Sequence, residues 1–214
     1  MTPSETTLER SLSARSQVAL DARSDRDAGE VTPPDPKLLD TIEQYLLDGE
    51  THYPVRPGMT ELREAVDERL SVLGTMTRGP GSVLICASAG EALFVTILGL
   101  GHFGGGTLWG TIGDEHEPLL QWTGVTVVGE DPGGDEPYVR DLGSRLFSDE
   151  RIGVRPDELI IGDLGGLEMA PFNLGFVAGP PALVATITKW KQASSICAPS
   201  PPQRAALTAL GVGS

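Results

Sequence analysis

Lysine is nearly missing from this chain. Of 214 residues only Lys37, Lys189 and Lys191 carry a side-chain amine, against thirteen arginines, so amine chemistry has few candidates. Positive charge is scarce as well: the net charge of −14 opposes long-range attraction to phosphate backbones and anionic lipid, which argues against nucleic acid or a membrane surface as partner. Two cysteines are too few for a disulfide framework, and Cys86 sits in an apolar run where a thiol behaves as a small hydrophobe. A reduced, cytoplasmic setting fits. No run of apolar residues reaches the length of a membrane span and the first residues show no apolar leader core, so a soluble, unexported protein is expected.

What is present is ordinary for a globular α/β protein. The length suits one domain with a sizeable core, and 27 glycines with 17 prolines mark many tight turns. Residues 1–34, rich in Ser, Thr, Arg and Asp, read as a polar arm with little to bury. Residues 35–214 read as a single domain.

Within that domain Asp35 can cap a helix whose first turn takes Pro36, with Leu38, Leu39, Ile42, Tyr45 and Leu46 on one face and Gly49 as its stop. A second helix follows Thr60, with Leu62, Val66, Leu70 and Leu73 at helical spacing and Gly74 at its end. Residues 82–87 form a short apolar strand, and Ser88-Ala89-Gly90-Glu91 has the spacing of a capping box that opens a helix over 92–100. Strands are predicted over 107–112 and 125–129 around a helix near 118–122. Residues 130–157 read as a surface connection with a helical patch at 138–147. Strands over 158–163 and 173–178 and two helices, after Pro180 and after Pro201, complete a mostly parallel layer.

Four islands of this order resemble the fold-type I pyridoxal-phosphate (PLP) aminotransferases. His52-Tyr53-Pro54-Val55-Arg56-Pro57-Gly58 followed by Leu62-Arg63-Glu64-Ala65 is similar to the family's tyrosine–glycine–Leu-Arg-x-Ala signature. Ser88-Ala89-Gly90-Glu91 looks like its phosphate turn. Asn173-Leu174-Gly175-Phe176 with Gly179-Pro180 resembles the strand after the lysine loop, and residues 198–206 echo the helix beyond it. The resemblance implies a three-layer α/β/α fold with a shortened, five-stranded sheet carrying one antiparallel strand, and a homodimer. It implies that the middle strands, between 131 and 157, and the C-terminal small domain have no counterpart here. The sheet is then expected to close by pairing 158–163 directly with 107–112, which would draw Ser88, Asp114 and Gly165 around a narrow crevice.

The departures set the functional expectations. By this resemblance the family's Schiff-base lysine falls at or beside Gly165, and a phosphate-binding arginine falls at Asn173. Without that amine, covalent catalysis on the cofactor lacks its proton shuttle. The chain is therefore expected not to be a PLP-dependent aminotransferase, to take no cofactor, and to serve as a non-catalytic ligand-binding or interaction scaffold. Candidate ligand residues are Ser88, Ala89 and Gly90, whose helix start can bind a small anion, with Tyr53 at the dimer seam. Asp114, Glu115, His116 and Glu117 form the densest cluster of possible metal ligands or acid/base groups, and the alternative is an enzyme of another type that uses Asp114, His116 and Glu117. No metal site is expected, since that spacing is no established ligand pattern. Lys189 and Lys191 read as stems covering a helix edge.

Overall fold

The structure, a computed structural model, describes residues 35–50, 52–74, 78–130, 132–155, 157–167 and 172–212; the expected arm, residues 1–34, lies outside them. Helices α1 (Pro36–Leu47) and α2 (Thr60–Val72) lead into strand β1 (Val83–Cys86) and helix α3 (Ala89–Gly99). Strand β2 (Gly106–Thr111), helix α4 (Glu117–Thr123) and strand β3 (Val125–Val128) follow. Strands β4 (Val139–Asp141), β5 (Leu159–Asp163) and β6 (Gly175–Ala178) precede helices α5 (Pro181–Ser195) and α6 (Ser200–Ala209).

The helix ends are set by local chemistry. Asp35 accepts the Lys37 N–H at 2.9 Å and Pro36 opens α1, because a first-turn N–H has no partner within the helix to lose. At α3 the Ser88 hydroxyl accepts from the Glu91 N–H at 3.0 Å while the Glu91 carboxylate accepts from the Ala87 N–H at 2.6 Å.

The sheet has six strands in the order β1-β6-β5-β4-β2-β3, with β6 antiparallel to both of its neighbours and the other pairings parallel. A mostly parallel sheet with one antiparallel strand stands as read from the sequence, but the strand count rises from five to six. β5 does not neighbour β2. The helical patch expected at 138–147 is instead β4 followed by a 3-10 turn, Arg145–Phe147. Val139 and Asp141 are buried with Arg140 between them half-buried, and β4 pairs Val139 with Gly110 on one side and Leu159 on the other. A parallel partner on each side stabilises a strand too short to announce itself locally.

Strand parity divides the core into two layers. Val83, Ile85, Ile160, Phe176 and Ala178 face α1, α2 and α6, where Leu38, Leu62, Val66 and Ala206 are buried. Leu84, Cys86, Leu159, Ile161 and Val177 face α3, α4 and α5. A sheet buried on both sides gives the continuous apolar runs seen in β1, β5 and β6. Among the described residues no helix is long and apolar enough to cross a membrane.

Candidate functional site

Two polar constellations stand at the ends of the strands. The first is the start of α3. A Cβ added at Gly175 would lie 2.6 Å from the Ala89 N and closer still to the Ser88 carbonyl, so β6 presses directly on this turn and only glycine leaves room. Ser88 and Glu91 satisfy two local donors as a capping pair, whereas the Ala89 and Gly90 N–H groups find no acceptor among the described residues. They are donors of a helix start left without an intrahelical acceptor.

Behind that turn lies a buried ion pair. Lys191, fully buried on α5, donates to Glu91 Oε2 at 2.8 Å and to Ser195 Oγ at 3.1 Å. Burial alone would raise the Glu91 carboxyl, but the Ala87 N–H, the Lys191 ammonium and the Ser195 hydroxyl outweigh it and hold the group below the usual carboxylate range. Lys191 is thus no helix-edge stem; Lys189, by contrast, is exposed. Burial pushes the neighbouring Cys86 thiol up, so that cysteine is inert core.

The second constellation follows β2 and β4. His116, in a 3-10 turn (Asp114–His116), is 6% exposed. Its Nε2 lies 3.3 Å from Asp141 Oδ2, yet out of hydrogen-bonding alignment, and has no other partner among the described residues. Asp141 accepts from the Gly143 N–H through Oδ1 at 2.8 Å and from the Gly113 N–H through Oδ2 at 3.1 Å. Burial raises the Asp141 carboxyl, but His116 and these two N–H donors prevail and hold it low. Glu115 completes the group: one ligand atom each from Glu115, His116 and Asp141 lie within 4.8 Å of one another.

This is not the cluster expected from spacing. His116 is a member, but Asp114 and Glu117 are exposed, and Glu117 accepts from the Gln121 side chain along α4. Glu115, also exposed but part of the same acidic run, stays with His116, and Asp141 joins them. The crevice also differs. A cleft of about 250 Å³ is lined by Thr111, Gly113, Glu115, Asp141, Gly143 and Arg145, and neither Ser88 nor Gly165 reaches it. With β4 wedged between β2 and β5, those loops are held apart. Gly165 is exposed and its N–H donates to Asp163 Oδ1 at 2.7 Å, a local turn. Asn173 is exposed before β6. Tyr53 is 80% exposed.

No family model matches the sequence, and no curated protein does. Solved structures do match. A methionine aminotransferase of Escherichia coli is 16% identical with a TM-score of 0.70, covering 92% of this chain and 70% of that one. An aspartate aminotransferase double mutant of Thermus thermophilus is 17% identical at 0.70, over 98% of this chain and 70% of its own. An aminotransferase of Mycobacterium tuberculosis is 15% identical at 0.69, over 91% and 70%. These neighbours overturn two expectations. The chain is not set apart from PLP-dependent aminotransferases, and the absence of a cofactor no longer stands, because the proteins sharing this fold along nearly its whole length are themselves aminotransferases. This chain has the aminotransferase fold.

Proposed function

We propose that the chain is an aminotransferase-type protein that holds a PLP-type cofactor by its phosphate at the start of α3. One observation carries this reading: the Ala89 and Gly90 N–H groups, at the carboxyl end of β1, have no acceptor among the described residues, beside a β6 glycine whose side chain would collide with the turn, in a chain whose fold neighbours are aminotransferases. The donor set fits a phosphate. Two backbone N–H groups and the positive end of an eleven-residue helix attract an anion, and Lys191 offsets the Glu91 charge that would otherwise repel it.

When bound, such a cofactor supplies an electron sink for charge developing beside an amino group. The chain's own residues have narrower tasks. Ser88 fixes the turn, Gly175 lets β6 support it, and Glu91 with Lys191 and Ser195 locks the helix start against the α5 helix. The described loop residues after β5 carry no amine, so the phosphate seat is the contact these residues provide.

The test uses Gly90→Asp. A Cβ at Gly90 meets nothing nearer than 3.7 Å, and a carboxylate in the first turn suits the helix while repelling phosphate. PLP binding, followed by absorbance and calorimetry, should weaken at least about tenfold with no loss of thermal stability. Equal PLP affinity in both proteins would refute the phosphate seat. Amino-group transfer from amino acids to 2-oxo acids then tests the activity class.

A further inference from the structure

We propose that Glu115, His116 and Asp141 form a binding site for one divalent transition-metal ion of the zinc class, separate from the α3 start. The carrying observation is the state of His116. Its side chain is only 8% exposed, and its Nε2 stands 3.3 Å from Asp141 Oδ2 as an ion-pair contact with no aligned hydrogen bond among the described residues. A buried nitrogen without an aligned hydrogen bond forfeits part of the about 1–3 kcal/mol at stake for a buried polar group, and the fold holds it 3.3 Å from an oxygen of Asp141, whose side chain is 3% exposed.

The separations suit a metal. In a tetrahedral site with ligand bonds of about 2.0–2.1 Å, neighbouring ligand atoms stand about 3.4 Å apart. His116 Nε2 and Asp141 Oδ2 already hold that spacing at 3.3 Å. Glu115 lies within 4.8 Å and is exposed, so its flexible side chain can close the remainder. The Glu115 carboxylate rests against Gly113, where a Cβ would displace it. Asp141 is oriented by the Gly113 and Gly143 N–H groups, the outer-shell support that fixes metal ligands.

The donor set selects the ion. One imidazole nitrogen with two carboxylates disfavours magnesium and calcium, which take oxygen ligands, and suits zinc and its first-row neighbours. Three protein ligands leave a coordination position open, as in sites that bind water or a substrate oxygen. Glu115 and Asp141 also line the adjoining cleft, together with Arg145, whose Nε donates to the Leu142 carbonyl at 3.1 Å.

Zinc alone is the probe, titrated calorimetrically into tag-free full-length protein after chelator treatment, with cobalt as the spectroscopic reporter. One zinc per chain is expected, with cobalt giving visible bands of four-coordinate geometry. Glu115→Gln, at an exposed position, should weaken zinc at least about tenfold without altering the metal-free melting temperature. His116→Gln should abolish the cobalt bands, and His102→Gln should change neither. Absence of stoichiometric zinc at about 100 μM, or equal affinity in the wild type and Glu115→Gln, would overturn the site. Because the phosphate seat lies elsewhere, Gly90→Asp should leave zinc binding intact, so failure of one reading does not imply failure of the other.

Discussion

Lys191 and Glu91 meet at 2.8 Å across one hundred residues of sequence, the ammonium fully buried and the carboxylate 17% exposed. The pair joins α5 to the first turn of α3, directly behind the donors assigned to phosphate. Removing one partner leaves the other desolvated and uncompensated. Glu91→Gln should therefore cost about 3 kcal/mol in denaturant unfolding, and Lys191→Met should cost less because Glu91 keeps the Ala87 and Ser195 donors. A double-mutant cycle with no coupling between the two would contradict this account.

The same carboxylate sets a dependence on acid. Its folded-state pKa lies below the ordinary value, so the folded protein binds fewer protons than the unfolded chain in that range. The stabilisation is complete above the unfolded value of about 4.3 and is lost as pH falls through the lower folded value. Unfolding free energy should decline on acidification below about pH 4, and the Glu91→Gln protein should show a shallower decline. Parallel pH profiles for the two proteins would count against it.

Much of this was legible because it is local. Asp35, Ser88 and Glu91 cap helices through neighbours two to four residues away, and such chemistry shows in the sequence. Lys191 was also within reach: Val184, Ile187 and Lys191 lie at i, i+3 and i+7, and all three are buried on one face of α5. The lysine's charge masked that periodicity. β4 was not legible, since a three-residue strand beside an acidic, glycine-rich stretch owes its existence to Gly110 and Leu159. Asp141 was missed with it. Its approach to His116 spans 25 residues and depends on β4 pairing with β2, for which no local spacing exists.

Gly175 should tolerate no side chain. In Gly175→Ala the new carbon meets the backbone of Ser88 and Ala89, which cannot rotate away as a side chain could. We expect a loss of about 3 kcal/mol, at the upper end of overpacking costs, with weakened PLP binding measured by calorimetry. Unchanged stability would show that the turn is looser than its geometry implies.

A homodimer is expected across the end of α1 and the segment that follows it. Leu47 is 73% exposed, Tyr53 80% and Val55 59%, more apolar surface in one short stretch than solvent exposure favours. Sedimentation at micromolar concentration should give a dimer, and Tyr53→Asp combined with Leu47→Asp should give a monomer. A monomeric wild type would remove this assignment.

β4 should be the weakest strand of the sheet, and Glu158 its tether. Three residues provide few ladder hydrogen bonds, so side chains must hold the strand between its neighbours. Arg140, the middle residue of β4, donates through Nε to Glu158 Oε2 at 3.0 Å and through Nη2 to Oε1 at 2.8 Å. Such a two-pronged pair is stronger and more directional than a single contact. Glu158 is nearly fully buried at the edge of β5, and its carboxylate raises the Arg140 guanidinium still further. Arg155 adds a second cation 3.5 Å from Oε1 and stacks over the Tyr138 ring, where Arg140 also lies. Glu158→Gln keeps the shape but removes the charge, leaving two guanidinium groups side by side. The expected cost is about 2 kcal/mol, the range for hydrogen bonds to charged groups. Because the tether is local, amide exchange should accelerate at Val139 and Asp141 and stay unchanged in β1 and β6. The zinc affinity of the Asp141 site should fall with it, since Asp141 is the last residue of the same strand. Uniform acceleration across all six strands would mean instead that Glu158 supports the whole fold and that β4 is no separate unit.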